Sequence, residues 1–335
     1  MKAFFHPDQN LHHPKSYFTR GQMREPQEIP ERTTRIIQGL KNLDIPVEKP
    51  ADHGMRPIAN THNLGYLRFL ESAHRRWPAD WGEEVLSNIF VQHPNAQKGI
   101  LAEAGRYLAD GSSPIGEHTW KAAYASAQSA IAAAQALIDG ERYAYGLSRP
   151  PGHHATTSSA GGFCFLNNAA IAANVLKPHF PRVAVLDPDV HHGQGVQQVF
   201  YDRDDVLYIS IHGDPTNFYP VASGYEEERG EGMGLGYNIN LPMPQGSPEE
   251  TFFEKLDEAM RAIHLFSADV LVIALGFDLY KDDPQAQVAV TTEGFRRLGS
   301  LLRGSNLPIA VIQEGGYHLE SLTQNTEAFF SGLLE

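Results

Sequence analysis

Short runs of aliphatic and β-branched residues recur along the chain, with helix-like stretches between them. The runs Tyr143 to Leu147, Val183 to Leu186, Val206 to Ile211, Val270 to Leu275 and Ile309 to Ile312 are apolar at nearly every position. Unbroken apolarity, rather than alternation, is the pattern of parallel strands buried on both faces. The alanine-rich stretch Trp120 to Ile138 and the stretch Glu249 to Phe266, which follows a Ser-Pro start signal, predict helices between the strands. The alternation predicts an α/β fold with a mostly parallel central sheet and helices on both faces. Residues Pro78 to His118 mix Pro, Gly, Asn and acidic positions, with a helix expected around Gln97 to Tyr107. That segment reads as a long excursion near a functional face. No repeat, heptad seam or linker divides the chain, so one domain spanning residues 1–335 is expected.

In an open parallel sheet the ligand crevice lies beyond the carboxyl ends of the strands. The residues just after the apolar runs are therefore expected to converge. They are Arg149-Pro150-Pro151-Gly152-His153-His154, then Asp187-Pro188-Asp189-Val190-His191, then Gly276-Phe277-Asp278, then Glu314-Gly315-Gly316-Tyr317. Asp189 and His191 are two apart, so extended backbone would point both side chains the same way. With Asp278 from another strand end they supply two carboxylates, one imidazole and an open position, the ligand set of a catalytic zinc. Burying such groups without a cation is costly. A binuclear manganese ureohydrolase would need further carboxylates two residues beyond His191 and two beyond Asp278. Those positions hold Gly193 and Tyr280, so one metal is expected.

The formal net charge of -13 over 335 residues argues against a nucleic-acid partner and leaves room for a cationic substrate. No segment approaches the roughly 20 apolar residues of a membrane span, and the N-terminal residues lack a secretory apolar stretch. The expectation is a soluble cytoplasmic protein with no membrane partner, and the single cysteine, Cys164, is expected in the core.

Together with Gly162-Phe163-Cys164-Phe165-Leu166-Asn167-Asn168 and, more weakly, His62-Asn63-Leu64-Gly65-Tyr66-Leu67, these ordered motifs resemble the zinc-dependent histone deacetylase and acetylpolyamine amidohydrolase family. The resemblance covers nearly the whole chain and implies the arginase/deacetylase fold. It implies zinc on Asp189, His191 and Asp278, His154 as general base and acid, His153 as its electrostatic partner, and Tyr317 as donor to the oxyanion. Asp187 would orient the first histidine and, with Asp189, His191, Ser210 and Ile211, contribute to a structural potassium site. A second potassium site would involve Phe200, Arg203, Val206 and Tyr237. Where many relatives orient the second histidine with Asp or Asn, this chain has Gln194, which adds no negative charge.

Gly162, Phe163 and Tyr219 match positions lining a narrow acyl-chain tunnel. The segment from His212 to Tyr225 is more similar to bacterial acetylpolyamine amidohydrolases than to nuclear deacetylases. A small cationic acetylated polyamine is thus expected as substrate, with a peptide acetyl-lysine deacetylase as the runner-up. An inactive acyl-ligand binder would be expected to lack Tyr317 or a ligand, and neither is missing. The resemblance also implies a homodimer built through residues 78–118. Glu25, Glu28, Asp110, Glu117 and the run Glu226-Glu227-Glu228 are candidates for the acid that meets the substrate ammonium.

Overall fold

All five apolar runs form strands of one sheet in the computed structural model, which describes residues 1–91, 98–286 and 288–335. The strands are β1 (Lys2–Phe4), β2 (Val47–Glu48), β3 (Tyr143–Gly146), β4 (Val183–Asp187), β5 (Val206–Gly213), β6 (Asn238–Met243), β7 (Val270–Leu275) and β8 (Ile309–Gln313). They lie in the order β2-β1-β3-β8-β7-β4-β5-β6 as an eight-stranded sheet, and every neighbouring pair is parallel.

Three of these strands were not among the apolar runs. β1 and β2 are too short to show a period, and β6 sits at the sheet edge with Asn238 and Asn240 in it, whose amides donate to the side-chain oxygen of Gln197.

Burial on both faces explains the unbroken apolar pattern. Leu186, Ile209, Ile273 and Val311 join one core with residues of the helices Glu31–Asn42, Glu249–Phe266, Thr292–Gly304 and Leu319–Leu334. Val185, Tyr208, Val272 and Ile312 face the other way, against Thr119–Ile138, Asn168–Leu176 and Gln194–Phe200. Each such aliphatic side chain contributes about 1.5–3 kcal/mol by leaving water. The helix Thr119–Ile138 gains one residue over its expected span, and Glu249–Phe266 has the expected bounds. Ser247 is not the cap of the latter, because its hydroxyl donates to the Pro244 carbonyl instead.

Register brings the central strand ends level: Ile312 pairs with Ala274 and with Gly146, and Ile273 pairs with Leu186. β3, β8, β7 and β4 are successive neighbours, so the four motifs that follow them emerge side by side. The 78–118 excursion is closed on itself by a bridge from Val85 to Ile115 and is joined to the segment that follows β3 by a bridge from Leu108 to Ala160. Its helix runs Ile100–Tyr107, and Gln97, where it was expected to begin, lies outside the described residues. Among the described residues no helix is long and apolar enough to cross a membrane.

Candidate active site

Asp189, His191 and Asp278 are buried, and one ligand atom of each lies within 4.8 Å of the others. His191 Nδ1 stands 3.3 Å from Asp189 Oδ1 and 3.3 Å from Asp278 Oδ2. The convergence of Asp189 and His191 does not come from extended backbone. The chain bends after β4, and the turn is closed by the His191 amide donating to Asp189 Oδ1 at 2.9 Å. A short polar side chain accepting from the amide two residues on is the usual way such a turn is held.

The donor set fits a dication. Burial and the neighbouring Asp189 push the Asp278 carboxyl up to about 7, and Asp278 Oδ2 has no hydrogen-bond donor. Burial disfavours charge on His191, yet the carboxylates of Asp189 and Asp278 raise it to about 9. Two carboxylates crowded together and an imidazole drawn toward protonation mark a place where a cation relieves repulsion. Glycine makes the crowding feasible. A Cβ on Gly315 would sit 2.1 Å from Asp278 Oδ2, and one on Gly276 would sit 2.3 Å from Asp189 Oδ2.

Both positions that a second metal would need are closed. A Cβ on Gly193 would stand 2.2 Å from Asp187 Oδ2 and 2.6 Å from the Tyr208 hydroxyl, so no carboxylate side chain fits there. Tyr280 occupies the other position and offers no carboxylate.

The tandem histidines differ in surroundings. Burial opposes charge on His153, but Asp189 and Asp187 raise it to about 10, and its Nδ1 lies 3.1 Å from Asp187 Oδ2. His154 is held well below the ordinary imidazole value by burial and by His153 and His191 beside it, and its Nδ1 lies 2.6 Å from Gln194 Oε1. Neighbouring residues thus have opposite protonation preferences. The pairing of Asp187 with His153 and of Gln194 with His154 is the one expected.

In the sequence Glu314 stands out only as part of the Glu314-Gly315-Gly316-Tyr317 motif. Its Oε2 accepts from the amides of Gly152 and His153 at 2.6 and 3.0 Å, which holds the tandem pair in place. Burial raises this carboxyl to about 8.

Above the triplet opens a cavity of about 860 Å³ lined by His154, Gly162, Phe163, His191, Phe218, Tyr219 and Tyr317. All three expected lining residues are there. Phe163 has φ +69°, a conformation a bulky residue adopts only when its surroundings impose it. Its ring stands edge-on to Tyr17 and to Tyr317 at centroid distances of 5.1 and 5.9 Å. Phe218 stacks on His191 at 4.8 Å, and Tyr219 meets His154 edge-on at 4.7 Å.

Burial raises the Tyr317 phenol well above its usual range despite Arg32 over its ring, with Asp278 and Asp189 adding to the effect. It therefore remains a hydroxyl donor. Tyr17 and Arg32 had no signal in sequence. Tyr17 belongs to a hairpin distant in the chain, and Arg32 lies on a helix from which it donates to the carbonyls of Gly316 and Glu314 at 2.6 and 2.7 Å.

The candidate acids separate in space. Glu25 and Asp110 line the cavity. Glu28 does not, because it is buried in ion pairs with Arg32 at 2.8 Å and Arg149 at 2.9 Å. Glu117 lines a different cavity with Glu83 and Glu84. Glu226 and Glu227 are exposed and do not line the mouth, and Glu228 accepts from Gln197 and from the Gly224 amide.

Of the residues expected at potassium sites, Asp187 pairs in register with Ser210, and Ile211 follows it in β5. Phe200 accepts from the Arg203 amide, and the Tyr237 carbonyl accepts from Tyr208, two residues after Val206.

A carboxylate–imidazole–carboxylate triplet beside two histidines at the strand ends of a parallel α/β sheet defines a metal-assisted hydrolase. The chain belongs to the histone deacetylase family: residues 26–333 match the model of the histone deacetylase domain. It is 61% identical over 335 residues to an acetylpolyamine amidohydrolase of Burkholderia pseudomallei, covering 99% of this chain and 98% of that one. It is 36% identical to the acetylpolyamine amidohydrolase of Mycoplana ramosa, covering 99% of each. A crystal structure of acetylpolyamine aminohydrolase from Burkholderia pseudomallei superposes with a TM-score of 0.98 at 60% identity, covering 99% of this chain and 98% of that one. This family is metal-dependent.

Proposed function

We propose that the protein is a cytoplasmic zinc amidohydrolase that removes acetyl groups from N-acetylated polyamines of the acetylputrescine and acetylcadaverine type. The observation that carries this reading is the buried Asp189–His191–Asp278 triplet, whose His191 lines an aromatic-walled cavity together with the neutral-favouring His154. The names of the two full-length amidohydrolase relatives support the substrate class.

Asp189, His191 and Asp278 would hold one zinc, which when bound lowers the pKa of water and polarises the substrate carbonyl. His154, with Nδ1 committed to Gln194, keeps Nε2 as the atom that takes a proton from the attacking water and returns it to the departing amine. His153, held by Asp187, supplies positive charge without moving a proton. The Tyr317 hydroxyl donates to the oxygen that becomes negative as the carbonyl is attacked. Phe163 and Tyr219 wall the methylene chain, and the backbone of Gly162 meets the amide. Structural potassium at Asp187, Asp189, His191, Ser210 and Ile211, and at Phe200, Arg203, Val206 and Tyr237, belongs to the same reading. So does a homodimer through residues 78–118, where Trp81, Ile89 and Phe90 are exposed; sedimentation of a single monomeric species at micromolar concentration would dismiss it.

The substrate is tested by comparing kcat/KM for acetylputrescine, acetylcadaverine, an acetyl-lysine peptide and a neutral alkyl acetamide of equal length. Of the two cavity-lining acids, Asp110 is already engaged by the Tyr219 hydroxyl and by Ser112, which leaves Glu25 to meet the ammonium. An ammonium about 4 Å from a carboxylate gains roughly 4 kcal/mol at an effective dielectric near 20, before desolvation. A fraction of that gives the acetylated diamines at least about a tenfold advantage over the neutral amide. A tenfold preference for the peptide would move the chain to the protein-deacetylase reading.

Gln194→Asp tests the base. A carboxylate beside His154 favours the protonated ring, so its pKa rises from the low value set by burial. Protonation then disables the base at higher pH, and the acidic limb of kcat/KM moves upward. Identical limbs in the wild type and a folded variant would break the assignment.

A further inference from the structure

Gln194 does not end the hydrogen-bonded chain that starts at His154. Gln194 Nε2 donates to the Tyr219 hydroxyl at 3.3 Å, and that hydroxyl donates to Asp110 Oδ2 at 2.7 Å. Asp110 is itself held. Its Oδ2 also accepts from the Gly162 amide at 3.1 Å, and its Oδ1 accepts from the Ser112 amide at 2.8 Å and from the Ser112 hydroxyl. Glycine permits the close assembly. A Cβ on Gly161 would stand 3.0 Å from Asp110 Oδ2 and 3.2 Å from the Tyr219 hydroxyl, and one on Gly162 would stand 2.8 Å from the Tyr219 ring.

We propose that Asp110 is a positioning residue that sets the Nδ1–H tautomer of His154 through Tyr219 and Gln194. This rests on the role of His154 in the proposed hydrolysis. A carboxylate only accepts, so Tyr219 must donate to Asp110. The tyrosine oxygen is then left to accept, so Gln194 must turn its NH2 toward it and its carbonyl toward His154. His154 Nδ1 must therefore carry the hydrogen, and in the neutral ring the lone pair is on Nε2. A side-chain amide by itself gives no such direction. A flipped Gln194 would donate to Nδ1 and place the hydrogen on Nε2, the tautomer that cannot accept a proton there. Direct pairing with Asp at position 194 would enforce the tautomer locally. In this chain the enforcing charge sits two side chains away, on the excursion that lines the cavity mouth.

The chemistry makes Asp110→Asn a directional test. Backbone amides face both oxygens, Ser112 at Oδ1 and Gly162 at Oδ2, but the Gly162 amide also donates to the Ser112 hydroxyl at 2.9 Å and keeps that acceptor, so the new amide oxygen turns toward Ser112 and its NH2 toward Tyr219. The tyrosine hydroxyl then donates to Gln194, Gln194 flips, and His154 switches tautomer. The experiment uses the zinc-loaded full chain with 15N-labelled histidine, whose long-range 1H–15N spectra distinguish the two tautomers; the His154 signals are assigned by their loss in His154→Ala.

The expected result is an Nδ1–H ring in the wild type and an Nε2–H ring in Asp110→Asn, with kcat for acetylputrescine reduced about tenfold to a hundredfold and KM changed less than about threefold. Tyr219→Phe keeps the aromatic wall, breaks the chain at one atom and reproduces the loss. In the Gln194→Asp background, Asp110→Asn has no further effect. An unchanged tautomer and kcat in both Asp110→Asn and Tyr219→Phe would overturn the proposal. So would a rise in KM alone, which would make Asp110 a substrate contact, or an equal loss in the Gln194→Asp background. A wild-type protein with no activity on acetylated amines would instead defeat the proposed function, and the spectra would still decide whether Asp110 sets the tautomer.

Discussion

Asp278→Asn is expected to abolish tight metal binding and to lower kcat/KM by about a thousandfold or more, since a Lewis acid contributes several kcal/mol to this chemistry and each 1.36 kcal/mol is tenfold. Asp278 Oδ2 is buried, has no hydrogen-bond donor, and faces His191 and Asp189 within ligand distance of a common point. Neutralising it leaves one carboxylate and one imidazole, too few to hold a dication against water. Three measurements check this. Metal analysis of the wild type gives one catalytic ion per chain, because Gly193 and Tyr280 provide no second set and the Gly193 site has no room for one. Chelation removes activity, and stoichiometric zinc restores it. Added zinc raises the melting temperature of the stripped wild type by a few degrees but not that of the variant, because only a state that binds the ion is stabilised by it. Two ions per chain, both required for turnover, would refute the mononuclear site.

Tyr317→Phe is expected to lower kcat by about a hundredfold or more with zinc still bound, the effect of removing one donor whose bond strengthens as the oxyanion forms. The fold isolates this hydroxyl from other duties. The backbone amides of Tyr317 and His318 both donate to Asp283 Oδ2, at 2.6 and 2.9 Å, and Arg32 lies over the ring with its carbon 4.9 Å from the centroid. Phenylalanine keeps those supports, so melting temperature and metal content are expected to stay within error of the wild type. His154→Ala is expected to be at least as damaging to kcat. Near-normal turnover of Tyr317→Phe on its best amide substrate would remove the oxyanion role.

The four chemical motifs were legible because each follows an apolar run, and a run buried on both faces must be a central strand of a covered sheet. Their adjacency was not legible. Nothing local in β3 or β8 states that they pair, yet the order β3-β8-β7-β4 is what brings His154, Tyr317 and His191 to one cavity, with Asp278 and Asp189 against His191. The closeness of Asp189 and His191 was anticipated for the wrong reason. An Asx turn, rather than strand alternation, brings them together, because the chain has already left β4 when it reaches Asp189.

By itself the sequence determined the layered α/β class, the ligand types and the absence of a second metal's carboxylates, since these depend on residue identity, hydrophobic period and spacing. Only the tertiary structure decided which groups would share a charge. Glu28 looked like a substrate acid until two buried arginines took it, and Gln194 looked like a loss of charge until Tyr219 connected it to Asp110. Hydrogen bonds and ion pairs reach only a few ångströms, so partners separated by tens to hundreds of residues are set by packing, which no local pattern encodes.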